Sequence, residues 1–368
     1  MKLANKQRLK SSKIILLHPY LETRQKEIIY GDYPKQHLWG IDSIQSSKEW
    51  TSQNLLSHNL SIPSLLEKFF DNTVFRGSPG TKVELNTLQT APTAEIIYSV
   101  CGPLSLSTLY PGKLISWVFG LPPNHSKKFI FAHRAYRPKN LESHAGFLCL
   151  TPKAEEYYSQ FAPSKFIPWC VDMELFDGKP PREESVNAFF LATGKTARDY
   201  HTLIDAAYKT EAEIRIIGPK YLKPLNIPEN VRWIDSSSNP PDRAIDYPTL
   251  RQWYAQCTAV CIPLSGDADD TCGYTNMLEG MAMRKPVIMT RSGCLHIDPA
   301  SRNFGILVEP GDSNGWSDAM NHILNDQSFA SKCGENGRKI AEDEFSIERF
   351  NRDVISFINE IIEINGRN

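Results

Sequence analysis

From residue 188 onward, short apolar runs alternate with stretches of helical period, and this regularity constrains the fold more than any other feature of the sequence. Runs of four or five apolar residues have the length of strands buried on both faces. Their alternation with helices is typical of a doubly wound α/β domain. The predicted strands are Ala188–Ala192, Glu213–Ile217, Val231–Ile234, Ala259–Pro263, Pro286–Thr290 and Gly305–Val308. The predicted helices are Tyr200–Lys209, Tyr247–Gln256, Thr275–Met283 and Ser313–Asn325.

A second α/β domain is predicted in the first half, because 368 residues exceed the usual size of one hydrophobic core. The polar, proline-rich residues 179–185 predict a linker, so the two domains span 1–180 and 186–345. The last residues, 346–368, contain an amphipathic helix. Predicted strands of the first half are Lys13–Leu17, Glu95–Ser99, Lys128–Ala132, Gly146–Leu150 and Lys165–Ile167, with a helix over 153–161.

The net charge and the lengths of the apolar runs disfavour several classes of protein. The net charge is -1 and no basic block occurs, which disfavours a nucleic-acid partner. The apolar run Ile14–Leu17 is too short for a signal peptide, and Leu114–Leu121 is far short of a membrane span. For Leu114–Leu121 a buried helix end is favoured over contact with a membrane surface. We therefore expect a cytoplasmic protein without a transmembrane segment, and leave peripheral membrane association open.

A polar loop that leads into a helix carries the most specific chemistry. Gly273 permits a close approach of the backbone to a ligand, and Thr275 and Asn276 occupy the predicted start of the helix. Free amides and the helix dipole at such a start favour a phosphate group. Glu279 lies one turn further on, where a carboxylate accepts hydrogen bonds from ribose hydroxyls. The pattern fits a nucleoside diphosphate, and an ordinary capped helix is the alternative.

The segment Leu278-Glu-Gly-Met-Ala-Met-Arg-Lys-Pro-Val-Ile288 resembles the donor-site helix of the retaining glycosyltransferases of family four. Four more segments resemble motifs of that family in the same order along the chain. They are Pro168–Phe176, Thr193–Ala206, Ile216–Pro219 and Gly305–Asp312. The resemblance covers roughly residues 146 to 360, and it implies a GT-B fold, which consists of two Rossmann-like domains that face a central cleft.

The resemblance also implies roles for individual residues. Basic residues of the loop after the first strand of the second domain, Lys195 and Arg198, would neutralise the leaving diphosphate, and His133 would lie near the transferred sugar. The donor-binding residues would be Gly194, Gly218, Thr271, Gly273, Tyr274, Thr275, Asn276 and Glu279. The acceptor-binding residues would be His37, Trp39 and Gly40, whose aromatic and imidazole side chains suit a sugar.

One position departs from the family pattern. Members carry two glutamates with seven residues between them, and the first contacts the transferred sugar. Glu279 matches the second, but Thr271 stands at the first position, with Asp270 adjacent. The substitution leaves the identity of the sugar, and catalytic competence itself, open. Asp267, Asp269 and Asp270 lack the spacing of a calcium loop, and enzymes of this fold generally use no metal, so we expect no metal and no cofactor.

The expected activity is transfer of a sugar from a UDP- or GDP-sugar to a small-molecule, glycan or lipid-linked acceptor, with retention of the anomeric configuration. Two alternatives stay open on the same scaffold: a nucleotide-sugar epimerase, and a protein that binds sugar nucleotides without turnover. A dehydrogenase is disfavoured, because no Gly-x-Gly-x-x-Gly follows the first strand of either half.

Overall fold

The computed structural model describes residues 12–55, 60–122, 133–179, 188–236, 245–265, 271–291 and 296–367. Contacts between residues divide the chain into two compact units. The described residues of the first unit fall within 12–21, 38–167 and 351–367, and those of the second within 22–37 and 168–350. In the described part of the chain, no helix is both long enough and apolar enough to cross a membrane.

The first unit is built on a parallel sheet with the strand order β2-β1-β3-β4-β5-β6. Its strands are β1 (Ser12–Leu17), β2 (Trp50–Asn54), β3 (Ile96–Ser99), β4 (Leu114–Val118), β5 (Gly146–Cys149) and β6 (Ser164–Phe166). Its helices include α2 (Ile41–Ser46), α3 (Ser64–Asn72), α4 (Thr81–Thr90), α5 (Pro138–Glu142) and α6 (Pro152–Tyr158). Apolar side chains such as Ile15, Ile97 and Leu114 are fully buried in its core.

The second unit has its own parallel sheet, with the order β12-β11-β10-β7-β8-β9. Its strands are β7 (Phe189–Thr193), β8 (Glu213–Gly218), β9 (Val231–Asp235), β10 (Ala259–Ile262), β11 (Val287–Thr290) and β12 (Gly305–Val308). Its helices include α7 (Tyr200–Ala207), α8 (Tyr247–Gln256), α9 (Tyr274–Ala282), α10 (Ser313–Asn325) and α11 (Gln327–Glu344). Read from the edge strand β9, this is the strand order 3-2-1-4-5-6 of the Rossmann fold.

Two of the four points at which the chain passes between the units lie within two further α-helices. Helix α1 spans Leu21–Ile29 and helix α12 spans Ile347–Arg367. Residues 22–37 pack with the second unit, where the carboxylate of Asp172 accepts from the Lys35 amide at 2.8 Å and the Asp172 amide donates to Gln36 Oε1 at 2.7 Å. The division by contacts therefore differs from the predicted boundary at residue 180, because 22–37 and 168–179 belong with the second unit. Residues 351–367 pack with the first unit.

The predicted strands of the second domain are confirmed to within one residue at each end, and three predicted helices match to within one residue. The helix prediction at 114–121 is wrong, since Leu114–Val118 forms the strand β4, all five of its residues buried between β3 and β5. Continuous burial removes the alternating pattern that distinguishes a strand from a buried helix. The predicted strand Lys128–Ala132 and most of the predicted linker lie outside the described residues.

Candidate functional site

A cavity of about 180 Å³ opens at the carboxyl edge of the sheet in the second unit. Residues that follow β7, β8 and β9 line it, together with the beginnings of α8 and α9. The lining residues are Thr193, Gly194, Lys195, Ile217, Ser236, Ile245, Tyr247, Leu250, Thr275, Asn276 and Glu279. The neighbouring strands β7 and β10 mark the point where the strand order reverses, which is where open α/β sheets bind ligands.

Helix α9 begins beside the cavity at Gly273, whose φ of 85° is in the left-handed region. A Cβ at Gly273 would lie 2.6 Å from Cγ2 of Ile262, so both the conformation and the space require glycine. No side chain among the described residues caps the first turn. The first-turn residues Thr275 and Asn276 line the cavity, so the positive end of the helix dipole is available to an anionic ligand.

Arg198 holds the loop after β7 in place. Its Nε donates to the carbonyl of Thr193 at 3.1 Å, and its Nη1 donates to the carbonyl of Thr196 at 2.9 Å. Its Nη2 donates to Oδ1 of Asn276 at 2.7 Å, which ties the loop to helix α9. The side chain is buried and is not among those that line the cavity, unlike the exposed Lys195.

Asp199 follows Arg198 in the sequence, but its carboxylate has a different partner. Its carboxylate caps helix α7, accepting from the backbone amide of Thr202 at 3.1 Å and from the hydroxyl of Thr202 at 2.6 Å. The cap satisfies a free amide of the first turn.

Gly194 allows the guanidinium of Arg198 to approach the backbone. Its φ is 122°, and a Cβ at this position would lie 2.5 Å from Nη2 of Arg198. The hydroxyl of Tyr200 donates to the Gly194 carbonyl at 2.7 Å and so fixes the peptide that follows Gly194. The close approach of Gly194 and Arg198 thus shapes the wall of the cavity that carries Lys195.

Glu279 is a buried carboxyl group in the cavity wall, with 2% of its surface exposed. Its Oε2 accepts a hydrogen bond from the Tyr254 hydroxyl at 2.9 Å, whereas Oε1 is buried without a hydrogen-bond partner among the described residues. Burial raises the pKa of Glu279 to about 8, against the opposing effect of the Tyr254 hydrogen bond. A buried carboxyl oxygen without a partner is costly, and a hydrogen-bond donor placed in the cavity would satisfy it.

Ser236 contributes a second polar atom of this kind. Its Oγ is buried without a partner among the described residues, and its amide donates to the carbonyl of Gly218 at 2.9 Å. Gly218 itself is packed between Trp233 and Tyr200, either of which would lie within 3.0 Å of an added Cβ. Gly218 therefore supports the cavity wall through Ser236 and Ile217, the residues beside it that line the cavity.

Five of the predicted donor-site and catalytic residues line this one cavity: Gly194, Lys195, Thr275, Asn276 and Glu279. Tyr274 does not line it, since its side chain is buried and its hydroxyl lies 3.4 Å from Nδ1 of His296. Helical geometry places successive residues on different faces, and Tyr274 is on the core face of α9. Thr271 precedes the helix, where its carbonyl accepts from the Tyr274 amide at 3.0 Å, and Asp270 lies outside the described residues.

The other predicted residues lie elsewhere in their units. In the second unit, Nε2 of His37 lies 3.3 Å from the hydroxyl of Tyr247, which lines the cavity. In the first unit, Trp39 has a φ of 56°, unusual for a bulky residue, and its carbonyl accepts from the Tyr98 hydroxyl. Gly40 follows it and packs against Val354, while His133 lies against Gly77.

Several cavity residues were missed by the sequence predictions: Thr193, Ile217, Ser236, Ile245, Tyr247 and Leu250. Thr193, Ile217 and Ser236 stand at or just after the carboxyl ends of β7, β8 and β9. The rule that ligands bind at the carboxyl ends of parallel strands could have identified these three. The sequence contains no comparable signal for Tyr247 and Leu250, because their place in the cavity wall depends on how α8 packs.

Comparisons with known proteins agree with this geometry. Residues 190–326 match the sequence model of the family described as glycosyl transferases group 1. The fold is similar to that of sucrose-phosphate synthase (tll1590) from Thermosynechococcus elongatus, at 14% identity and a TM-score of 0.63, covering 96% of this chain and 100% of that one. It is also similar to Anabaena Alr3699/HepE in complex with UDP and glucose, at 14% identity, a TM-score of 0.62, and 95% and 99% coverage.

A third solved structure, WaaG, a glycosyltransferase involved in lipopolysaccharide biosynthesis, is 13% identical with a TM-score of 0.59, covering 94% of this chain and 99% of that one. No curated protein sequence matches this chain. The two parallel sheets and these similarities define the GT-B fold. The chain is an enzyme of the glycosyltransferase class. The residues that match the group 1 sequence model all lie in its second unit.

Proposed function

We propose that this enzyme transfers a sugar from a nucleoside diphosphate sugar, a UDP- or GDP-sugar, with retention of the anomeric configuration. The acceptor is a small molecule, a glycan or a lipid-linked sugar. One observation carries the donor assignment: Glu279 Oε1 and Ser236 Oγ are both buried without a partner in the described part of the chain, and both residues line the same cavity. These atoms match the hydroxyl-rich, polar surface of a nucleoside.

The diphosphate is assigned to the opposite end of the proposed ligand. Lys195 supplies a cation there, and the first turn of α9 supplies backbone amides and the positive end of a helix dipole. Charge that develops on the leaving diphosphate is stabilised by these groups, and oriented donors of this kind contribute about 3 kcal/mol each in other enzymes. Arg198 acts in this proposal by holding the loop and Asn276, since its guanidinium is already committed to three acceptors.

The acceptor and the reacting sugar are assigned to residues of the first unit and to His37 of the second unit. In this proposal His133 lies near the transferred sugar. The acceptor is bound by Trp39, Gly40 and His37. Trp39 offers an indole face held in a sparsely populated backbone conformation, a feature that clusters at ligand sites. The reaction is proposed to proceed without a metal ion or a cofactor, because protein groups are assigned to the diphosphate charge.

HepE, with 14% identity, was solved in complex with UDP-glucose, which supports testing UDP-sugars first. The test is a thermal-shift panel of UDP-, GDP- and dTDP-sugars, followed by product detection with an acceptor library. Stabilisation by one nucleotide series and formation of a product with the donor's anomeric configuration are expected. Absence of stabilisation by every member would overturn the donor assignment. Conversion of a nucleotide-sugar without acceptor would identify an epimerase, and binding without turnover a non-catalytic protein.

A further inference from the structure

Four polar side chains form one hydrogen-bonded row: Asn276 and Glu279, which line the cavity, and Arg198 and Tyr254, which do not. Arg198 Nη2 lies 2.7 Å from Asn276 Oδ1, Asn276 Nδ2 lies 3.3 Å from the Tyr254 hydroxyl, and that hydroxyl lies 2.9 Å from Glu279 Oε2. Tyr254 is fully buried and does not itself line the cavity. The row links the loop that carries Lys195 to the carboxyl group assigned to the ribose.

The direction of each hydrogen bond in the row follows from chemistry. A guanidinium can only donate, so Asn276 must present Oδ1 to Arg198. Its Nδ2 then faces the other way and donates to the Tyr254 hydroxyl and to Oγ1 of Thr193. Since the oxygen of Tyr254 accepts from Asn276, its single proton is directed at Glu279. The amide orientation of Asn276 is therefore determined by its partners.

This polarity decides which oxygen of Glu279 is available. Oε2 is occupied by the Tyr254 proton, and Oε1 has no partner among the described residues. We infer that Tyr254 is a positioning residue for donor binding, which holds Glu279 by Oε2 so that Oε1 accepts hydrogen bonds from the ribose hydroxyls of a nucleoside diphosphate. The inference rests on the proposed function, and it adds a residue that does not touch the ligand.

The charge state of Glu279 gives this role a signature. Burial raises the pKa of Glu279, and the hydrogen bond from Tyr254 lowers it. Tyr254 faces Glu279 from α8, Asn276 shares its helix, and Lys195 and Tyr247 line the same cavity. Removing the Tyr254 hydroxyl takes away a bond to the charged form, so the pKa of Glu279 rises further. A residue that merely fills space would leave that pKa unchanged.

The test is Tyr254→Phe, which removes one oxygen atom and keeps the ring. The dissociation constant of UDP and the KM for the donor are expected to rise about tenfold, because a hydrogen bond to a charged group is lost, with kcat little changed. The pH at which UDP binding is half-maximal should move upward. Tyr158→Phe, a buried tyrosine of the first unit, serves as the control and should leave UDP binding as it is.

A double-mutant cycle with Glu279→Ala decides whether Tyr254 acts through Glu279. Tyr254→Phe should cost about tenfold in affinity in the wild-type background and less than about twofold when Glu279 is already absent. Equal costs in both backgrounds, or an unshifted pH profile, would overturn the positioning role. The cycle compares the effect of Tyr254→Phe on UDP affinity in two backgrounds. A general effect of that substitution on stability occurs in both backgrounds and therefore cancels. If Glu279→Ala alone leaves UDP affinity unchanged, the ribose assignment of the proposed function fails instead.

Discussion

Arg198 and Asn276, 78 positions apart in the sequence, are joined by a hydrogen bond of 2.7 Å from the guanidinium Nη2 to the amide Oδ1. This bond joins the loop after β7 to the first turn of α9, the two elements that carry the basic and amide groups of the proposed diphosphate site. The same guanidinium binds the carbonyls of Thr193 and Thr196. The arrangement makes Arg198 responsible for the shape of the cavity as much as for its charge.

Arg198→Lys is therefore expected to lower both the stability of the protein and its affinity for UDP, although it preserves the charge. A lysine ammonium cannot reproduce the planar fork that binds three acceptors at once. The free energy of unfolding should fall by roughly 2–3 kcal/mol, as measured by urea denaturation, and UDP affinity should fall with it. Arg291→Lys is the matched control, since Arg291 forms an exposed pair with Glu309, and such surface pairs contribute little to stability. Equal stability of the two variants would contradict the anchoring role.

Gly194→Ala tests the close approach of backbone and guanidinium. The added Cβ would lie 2.5 Å from Arg198 Nη2, so the side chain must leave its three acceptors. Loss of UDP binding and a lower melting temperature are expected. Gly311→Ala provides the comparison, because Gly311 also has a positive φ, 73°, but an added Cβ meets no atom of the described residues within 4 Å. That variant should lose only about 1 kcal/mol of stability to backbone strain and bind UDP normally.

Ser236→Ala separates ligand recognition from folding. Its buried hydroxyl has no partner among the described residues, so removing it should leave the free energy of unfolding unchanged or slightly higher. UDP affinity should fall roughly threefold to tenfold if the hydroxyl binds the nucleotide. Isothermal titration calorimetry with UDP, uridine and inorganic pyrophosphate shows which part of the nucleotide the hydroxyl binds. The loss of affinity should appear with UDP and with uridine, and affinity for pyrophosphate should be unchanged. An unchanged affinity for uridine would remove Ser236 from the nucleoside site.

Chelation tests the assignment of the diphosphate charge to protein groups. Lys195 and the first turn of α9 are proposed to take the place that a divalent cation fills in other transferases. Transfer activity is expected to be the same in EDTA as in Mg²⁺. Lys195→Ala should lower kcat at either condition, measured by release of the free nucleoside diphosphate. Activity that is lost in EDTA and restored by Mg²⁺ would contradict the assignment.

The second unit was the more predictable half, for a physical reason. Its strands are short apolar runs separated by helices with clear starts, such as Asp246 and Asp312, whose side chains cap α8 and α10. In the first unit, β2 has alternating burial and a polar sequence, Trp50–Asn54, and it escaped prediction. The strand β4 was mistaken for a helix because complete burial erases periodicity. Sequence patterns thus identify short apolar runs that alternate with capped helices. They fail for a polar strand such as β2, and for an apolar run such as β4 whose pattern also fits a buried helix.

The lining of the cavity was predictable where a loop-to-helix pattern marks it, as at Thr275, Asn276 and Glu279. It was not predictable where long-range packing creates it. Tyr254 and Glu279 are in contact although they are 25 positions apart in the sequence, and the local sequence of α8 does not indicate that contact. Tyr274 illustrates the opposite error, since it adjoins the site in sequence while its side chain is buried on the other side of α9. Neighbourhood in sequence and contact in space diverge within one helical turn.

The raised pKa of Glu279 predicts how stability depends on pH in the unliganded enzyme. Burial moves the pKa from 4.5 to about 8, so between these values the folded state binds a proton that the unfolded state has released. The stability that this proton contributes is complete below about pH 4.5 and is lost as the pH rises through about 8. Glu279→Gln removes the titration, so the stability of the variant relative to wild type should increase steadily across this window.

Urea denaturation at about pH 5, 6.5 and 8.5 measures the difference in the free energy of unfolding between Glu279→Gln and wild type. Saturating UDP should reverse the pH trend of this difference, because ribose hydroxyls bind the charged carboxylate. Glu342→Gln is the control, since Glu342 forms a half-exposed pair with Arg338 on α11, away from the cavity. A stability difference between wild type and Glu279→Gln that is flat with pH would mean that Glu279 is ionised in the folded protein. In that case the cavity must supply a cation to it even without ligand, and the unpartnered Oε1 could not be the atom that selects the ribose.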